Sequence, residues 1–365
     1  MNKLIGIVLV GSTLLLTGCS TPKEAAPPAQ TPEEGAPPVR QWTFEEGMIF
    51  PADRSLVRPE DGVALADGRL IVADQEHGLR VMEGDGSHRP FGRFTEAGYQ
   101  HSPPEIVGGP NGVTLEPAGT HILVSDVYRG GIYRVEIATE ATERIYQHTF
   151  GVNMARRDSR GGLWFSQSTR NRPEHGEEEL FETVGIPKPD GALFYLPPVA
   201  EGEEASAVQI ADGFNFANGL VLDEAGGFLY LSETMASRVY RFRMDVEAGQ
   251  VSDQTTAVEV NHPDNIEMDR YGRLWIASPV RSEIVVFDPA TGTKESAFRI
   301  STPESEAQIE AIEARLRDGV TWVDLIAPDL FAPGPGLMTG MILSPDGEGA
   351  MYATGLGDAI IKLDS

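Results

Sequence analysis

Gly213-Phe214-Asn215-Phe216-Ala217-Asn218-Gly219-Leu220-Val221-Leu222-Asp223, running on through Gly227-Phe228-Leu229-Tyr230-Leu231-Ser232-Glu233, decides the fold. It reads as a turn bearing an asparagine, an apolar strand, a glycine-rich hairpin and a second apolar strand ending in Ser-Glu. The unit recurs along the chain. Gly62-Val63-Ala64-Leu65 precedes Leu70-Ile71-Val72-Ala73-Asp74, and Asn111-Gly112-Val113-Thr114-Leu115 precedes His121-Ile122-Leu123-Val124-Ser125-Asp126. Asn153-Met154-Ala155 precedes Leu163-Trp164-Phe165-Ser166, and Asp264-Asn265-Ile266-Glu267-Met268 precedes Leu274-Trp275-Ile276-Ala277. Gly340-Met341-Ile342-Leu343 before Met351-Tyr352-Ala353 makes the sixth copy.

One such hairpin cannot bury both its faces. Six of them, each extended to four strands and stacked radially, cover one another. The pattern predicts an all-β fold, a six-bladed β-propeller; a β-sandwich would give the Asn-Gly and Asp-Asn positions no reason to repeat. The second strands are irregularly spaced, from about 40 to nearly 80 residues apart, against the regular 40–50 of propeller blades. Two insertions account for the excess. Residues 170–189 are charged and read as a surface loop or short helix. Within 302–335, residues 305–316 carry apolar side chains at helical spacing and predict an amphipathic helix on top of the domain, part of a lid or mere decoration.

Among the 365 residues, 55 acids against 29 bases give a formal charge of −26, which repels phosphate backbones and argues against nucleic-acid binding. A single cysteine rules out an internal disulfide framework. That cysteine ends Leu16-Thr17-Gly18-Cys19, after Lys3 and an apolar run too short to span a bilayer. The ending resembles the lipobox of bacterial lipoproteins, which implies cleavage before Cys19 and lipidation on it; Ser20 in the next position points to the outer membrane, facing the periplasm. Residues 1–19 are therefore expected to be a signal peptide, 20–40 a Pro/Ala-rich tether, and 41–365 the propeller. Trp42-Thr43-Phe44 reads as the strand that closes the ring against the last repeat.

In a propeller, the residue entering each innermost strand lies near the axis at one mouth of the channel. Here those residues are Glu60, Asn111, Asn153, Asn218, Asp264 and Asn265, with Gly340 in the last blade. Each alone is an ordinary turn residue. Together they make an all-oxygen, partly anionic set that suits Ca²⁺, since Zn²⁺ would want nitrogen or sulfur.

Phe216-Ala217-Asn218-Gly219-Leu220, with Tyr230-Leu231-Ser232-Glu233-Thr234 and then Pro263-Asp264-Asn265-Ile266, resembles the regucalcin/gluconolactonase family and its strictosidine-synthase-like and paraoxonase relatives. The resemblance covers roughly residues 50–365. It implies a six-bladed propeller holding a divalent metal, usually calcium, with Glu60, Asn153, Asn218 and Asp264 as ligands and Asn265 or Asn111 nearby. Asn111 stands where a paraoxonase carries its catalytic histidine, and 333–345 lacks the glutamate of a strictosidine synthase. No Gly-x-Ser-x-Gly elbow is present.

What remains is metal-assisted hydrolysis of a lactone or related ester by a metal-activated water, with Asp264, or in second place Glu60, as general base. Asn111 and Arg156 are the candidate substrate contacts. His262 reads as an exposed or capped loop histidine, which as a participant would titrate near neutrality. The alternative is a non-catalytic, envelope-anchored propeller that binds a ligand or protein partner around structural calcium. A monomer attached to the membrane only through its lipid is expected in either case.

Overall fold

Asp158 and Asp269 show how a blade begins. Asp158 accepts the backbone N–H of Gly162 at 2.8 Å and the indole N–H of Trp164 at 2.8 Å. Asp269 repeats the arrangement with Arg273 N at 3.0 Å and Trp275 Nε1 at 2.9 Å. Each closes the hairpin between the first two strands of its blade and ties a buried tryptophan to it. The tight turn needs a left-handed residue, supplied by Gly161 at φ +92° and Gly272 at φ +79°.

The computed structural model describes residues 36–101, 107–198 and 206–363. The propeller occupies the unit Val39–Ser365. Cys19 and most of the expected tether lie outside the described residues. Six sheets, antiparallel apart from one added edge strand, follow one another in chain order, and their innermost strands are Gly62–Ala64, Pro110–Leu115, Ala155–Arg157, Ala217–Asp223, Ile266–Met268 and Gly336–Leu343. We number the blades one to six in that order.

The apolar core is divided among the seams. Ile71, Val81 and Phe91 of blade one pack with Val113, Ile122 and Val124 of blade two. Comparable clusters fill each of the other five seams, as the radial stacking of half-buried sheets requires. The strand that closes the ring is not Trp42–Thr43. That pair runs parallel to the outer strand of blade five, Trp42 opposite Phe298. Ile49–Phe50 closes the ring as the outer strand of blade six, Phe50 opposite Ile360. Trp42 joins blade five because its ring packs on Trp275 at 6.3 Å.

Two helices interrupt the β pattern. The first insertion forms α1 (Gly176–Gly185), with three glutamates in its first turn and Leu180 buried. The second forms α2 (Pro303–Arg317), longer at its start than the expected 305–316 because Thr302 caps it and Pro303 suits its first turn. Ile309 and Ile312 of α2 pack with Val280, Trp322 and Leu330 above the blades.

Candidate functional site

Asn111 and Asn218 are not in turns. Each sits inside an innermost strand where the pairing slips, between Pro110 and Val113 and between Ala217 and Leu220. Such bulges re-aim side chains, and here they turn the two amides toward the axis. The glycines that follow serve close packing between neighbouring innermost strands. A Cβ on Gly219 would stand 2.7 Å from Ile266 N and 2.8 Å from Asp264 O. Glu60, Asn153, Asp264 and Asn265 come from the segments just before their strands.

Hydroxyls fasten these segments across the seams. Ser125 Oγ donates to Asn153 O at 2.5 Å, Ser166 Oγ to Asn218 O at 2.6 Å, and Thr354 Oγ1 to Glu60 O at 2.8 Å. Thr234 Oγ1 donates to Pro263 O at 2.8 Å. A small hydroxyl at the end of a blade's second strand thus holds the carbonyl of a site segment in the next blade. The Ser in Val124-Ser125-Asp126 and Phe165-Ser166 and the Thr in Glu233-Thr234 were the available signal, and sequence reasoning left it unused.

Glu60, Asn111, Asn153, Asn218 and Asp264 line one cavity. Asn265 lies against this floor, its Nδ2 donating to Glu60 Oε1 at 3.3 Å. The amide nitrogens are engaged: Asn153 Nδ2 donates to Ser168 Oγ and Asn218 Nδ2 to Thr234 Oγ1, both at 3.0 Å. The oxygens are not. Glu60 Oε2, Asn153 Oδ1, Asn218 Oδ1 and Asn265 Oδ1 are buried without a hydrogen-bond partner. Buried polar atoms are rarely left so, and four acceptors among the residues of one cluster make a donor set for a hard cation. Among the described residues no group of three or more His, Cys, Asp or Glu side chains could hold a metal. Two carboxylates completed by neutral amides fit calcium and give zinc no nitrogen or sulfur ligand.

The electrostatics agree. Burial, opposed by the nearby Arg58 charge and a hydrogen bond from Asn265, pushes Glu60 up to about 7. Burial and then the charge of Glu60 hold Asp264 well above the usual carboxylate range. Asp61 is raised for the same two reasons, although its Oδ2 accepts Val113 N at 2.8 Å. Carboxyls that resist ionisation together are relieved by a cation between them.

His262 and Arg156 depart from expectation, and Asn111 carries an added contact. His262 is 3% exposed rather than on an open loop, and desolvation followed by the charge of Arg281 lowers it to about 4, so it is neutral at pH 7. Arg156 is not brought to the cluster. It lies toward the other end of the innermost strands, where its Nε donates to Leu220 O at 2.5 Å and its guanidinium pairs with Glu267, tying blades three, four and five. Asn111 lines the cavity, yet its Oδ1 already accepts from Arg58 at 3.0 Å. Arg58, which sequence reasoning passed over, reaches the cavity through a left-handed backbone at φ +54°.

Residues 141–309 match the family described as the SMP-30/gluconolactonase/LRE-like region. The chain is similar to this family over that stretch. A Bacillus subtilis protein named as a sugar lactone lactonase, YvrE, is 25% identical over 48% of this chain and 56% of its own length. The chain spans about half the length, or less, of the curated relatives it matches. A gluconolactonase structure from Xanthomonas campestris superposes with a TM-score of 0.55 at 17% identity, covering 84% of this chain and 86% of its own. Regucalcin from Agrobacterium tumefaciens, described as a calcium-binding protein, superposes with a TM-score of 0.51 at 14% identity over 72% of this chain and 80% of its own. These two structural likenesses establish the fold.

Proposed function

We propose that the protein is a calcium-dependent hydrolase of a lactone or related ester, acting at the mouth of the propeller axis. The observation that carries this reading is the set of partnerless buried oxygens on Glu60, Asn153, Asn218 and Asn265, gathered with Asp264 under a cavity. The names of the relatives, a sugar lactone lactonase and gluconolactonase among them, support the reaction class.

Glu60, Asn153, Asn218 and Asp264 would hold the ion, with Asn265 behind Glu60. Calcium, when bound, would polarise the acyl carbonyl and neutralise the two carboxylates. Asp264, then ionised, takes the proton of the attacking water at its carboxylate. Water adds to the acyl carbon, the acyl C–O bond breaks, and the departing alkoxide recovers the proton to give the hydroxy acid. His262 stays neutral and has no acid–base part in this scheme.

The binding-only alternative places structural calcium under a packed helix. The cavity above the oxygens, walled rather than filled by the insertions, favours the enzyme. We further propose that Cys19 is lipidated and holds the protein, as a monomer, at the periplasmic face of the outer membrane.

Asp264→Asn keeps an oxygen ligand and removes most of the basicity. The variant should retain calcium and lose on the order of 10²–10⁴ in lactone hydrolysis rate. Full hydrolysis by calcium-loaded Asp264→Asn protein would refute the assignment of the base.

A further inference from the structure

The cavity over the axis has two chemically different halves. Its floor is the oxygen cluster. Its walls are apolar and come largely from the two insertions: Leu180, Phe181 and Val184 of α1, then Trp322 and Ile326 beyond α2. Met235 and Leu337 add the rims of blades four and six. Trp322 and Ile326 lie in the second insertion, between blades five and six.

Several polar groups at the boundary between floor and wall are already engaged inside the protein, while the indole N–H of Trp322 is buried without a partner. Thr234 Oγ1 donates to Pro263 O at 2.8 Å and Thr339 Oγ1 to Glu60 O at 3.2 Å. Asn111 Oδ1 accepts from Arg58 at 3.0 Å, and His262 Nδ1 meets Asn261 Oδ1 at 2.9 Å. A sugar lactone entering here would strip water from several hydroxyls and find alkyl and aryl walls in return. Each hydroxyl left unpaired costs roughly tenfold in kcat/KM. An alkyl or aryl substituent removes apolar surface from water on both sides of the contact.

We propose that the cavity selects lactones carrying an alkyl or aryl substituent over polyhydroxylated sugar lactones. The carbonyl sits at the oxygen floor and the substituent against α1 and Trp322. The proposal rests on the lactone-hydrolase reading. It narrows that reading to a substrate class different from the one in the relatives' names.

The test is kcat/KM of the full-length, calcium-loaded protein on γ-butyrolactone, γ-hexalactone, γ-octalactone and γ-decalactone, with D-glucono-δ-lactone alongside. Each methylene that reaches the wall should raise kcat/KM roughly fourfold, and the sugar lactone should fall at least about a hundredfold below γ-decalactone. Phe181→Ser, at a half-buried wall position, should reduce the γ-decalactone value about tenfold more than the γ-butyrolactone value. A flat series with gluconolactone as the better substrate overturns the proposal and leaves the hydrolase reading standing. Melting curves with each lactone separate the remaining cases. If nothing is hydrolysed yet γ-decalactone alone raises the melting temperature, the cavity's selectivity holds and the hydrolase reading fails. No hydrolysis and no shift sinks both.

Discussion

Glu60 and Asp264 are buried where neither carboxyl ionises easily, and that sets a pH dependence for the metal-free protein. Glu60 moves from an ordinary 4.5 to about 7 in the fold. A carboxyl raised in this way favours the fold while protonated. Its contribution is complete below about pH 4.5 and is lost as pH climbs through about 7. Asp264 and Asp61 are raised too and act in the same sense. Metal-stripped protein should therefore melt at progressively lower temperature from pH 4.5 to 7.5. Saturating calcium should flatten that fall, because binding expels the protons and tightens as pH rises. A melting temperature of the stripped protein that is level or rising across this window would contradict the assignment. At this scale the site was largely readable. Repetition placed Glu60, Asn153, Asn218, Asp264 and Asn265 at one phase of the repeat, and phase fixes position on the axis. Arg58 was not readable, since its role depends on a left-handed backbone turn that no local pattern announces. His262 was misjudged because its burial comes from distant residues, among them Trp322, whose ring lies 5.7 Å away.

The innermost strands are where packing and function meet. Gly219 lets the strand of blade four approach the segment entering blade five. A Cβ there would lie 2.7 Å from Ile266 N and 2.8 Å from Asn265 Cα, both backbone atoms that cannot swing aside. Gly219→Ala should cost about 1–3 kcal/mol of stability, read from chemical denaturation. Because the displaced backbone carries Asp264 and Asn265, calcium affinity should also fall about tenfold or more. Gly47→Ala, whose Cβ would meet nothing within 4 Å, serves as the control. Unchanged calcium binding in Gly219→Ala would separate the seam from the site. The hairpins themselves were readable from alternation and turn glycines. Strand register was less so, and the bulges at Asn111 and Asn218 look like turns when only the dipeptide Asn-Gly is in view. Trp42–Thr43 could not be assigned to a blade from local signal, because parallel pairing to an outer strand depends on which blade lies nearby.

Across the whole molecule, propeller and insertions divide the labour. Radial seams supply stability, the innermost strands and the segments that enter them supply oxygens, and the two insertions wall the space above them. The blade count was readable because six copies of one hairpin admit few other architectures. The cavity was not, because α1 and Trp322 are separated by more than a hundred residues and meet only through the ring. The amino-terminal end makes its own prediction. After expression in a bacterial host, the protein should fractionate with membranes and carry lipid on Cys19, and Cys19→Ala should abolish both. Acylation or unaltered processing of Cys19→Ala, read by mass spectrometry, would remove the lipoprotein assignment.

The central claim is that calcium on the axial oxygens drives lactone hydrolysis. The measurement that tests it most directly is the hydrolysis rate of metal-stripped protein as calcium is added back, with calcium binding followed by calorimetry in the same buffer. Stripped protein should show no turnover, and recovery should saturate at one bound calcium per chain. Full activity in the presence of a chelator would contradict it, as would calcium-saturated protein that hydrolyses no lactone or ester.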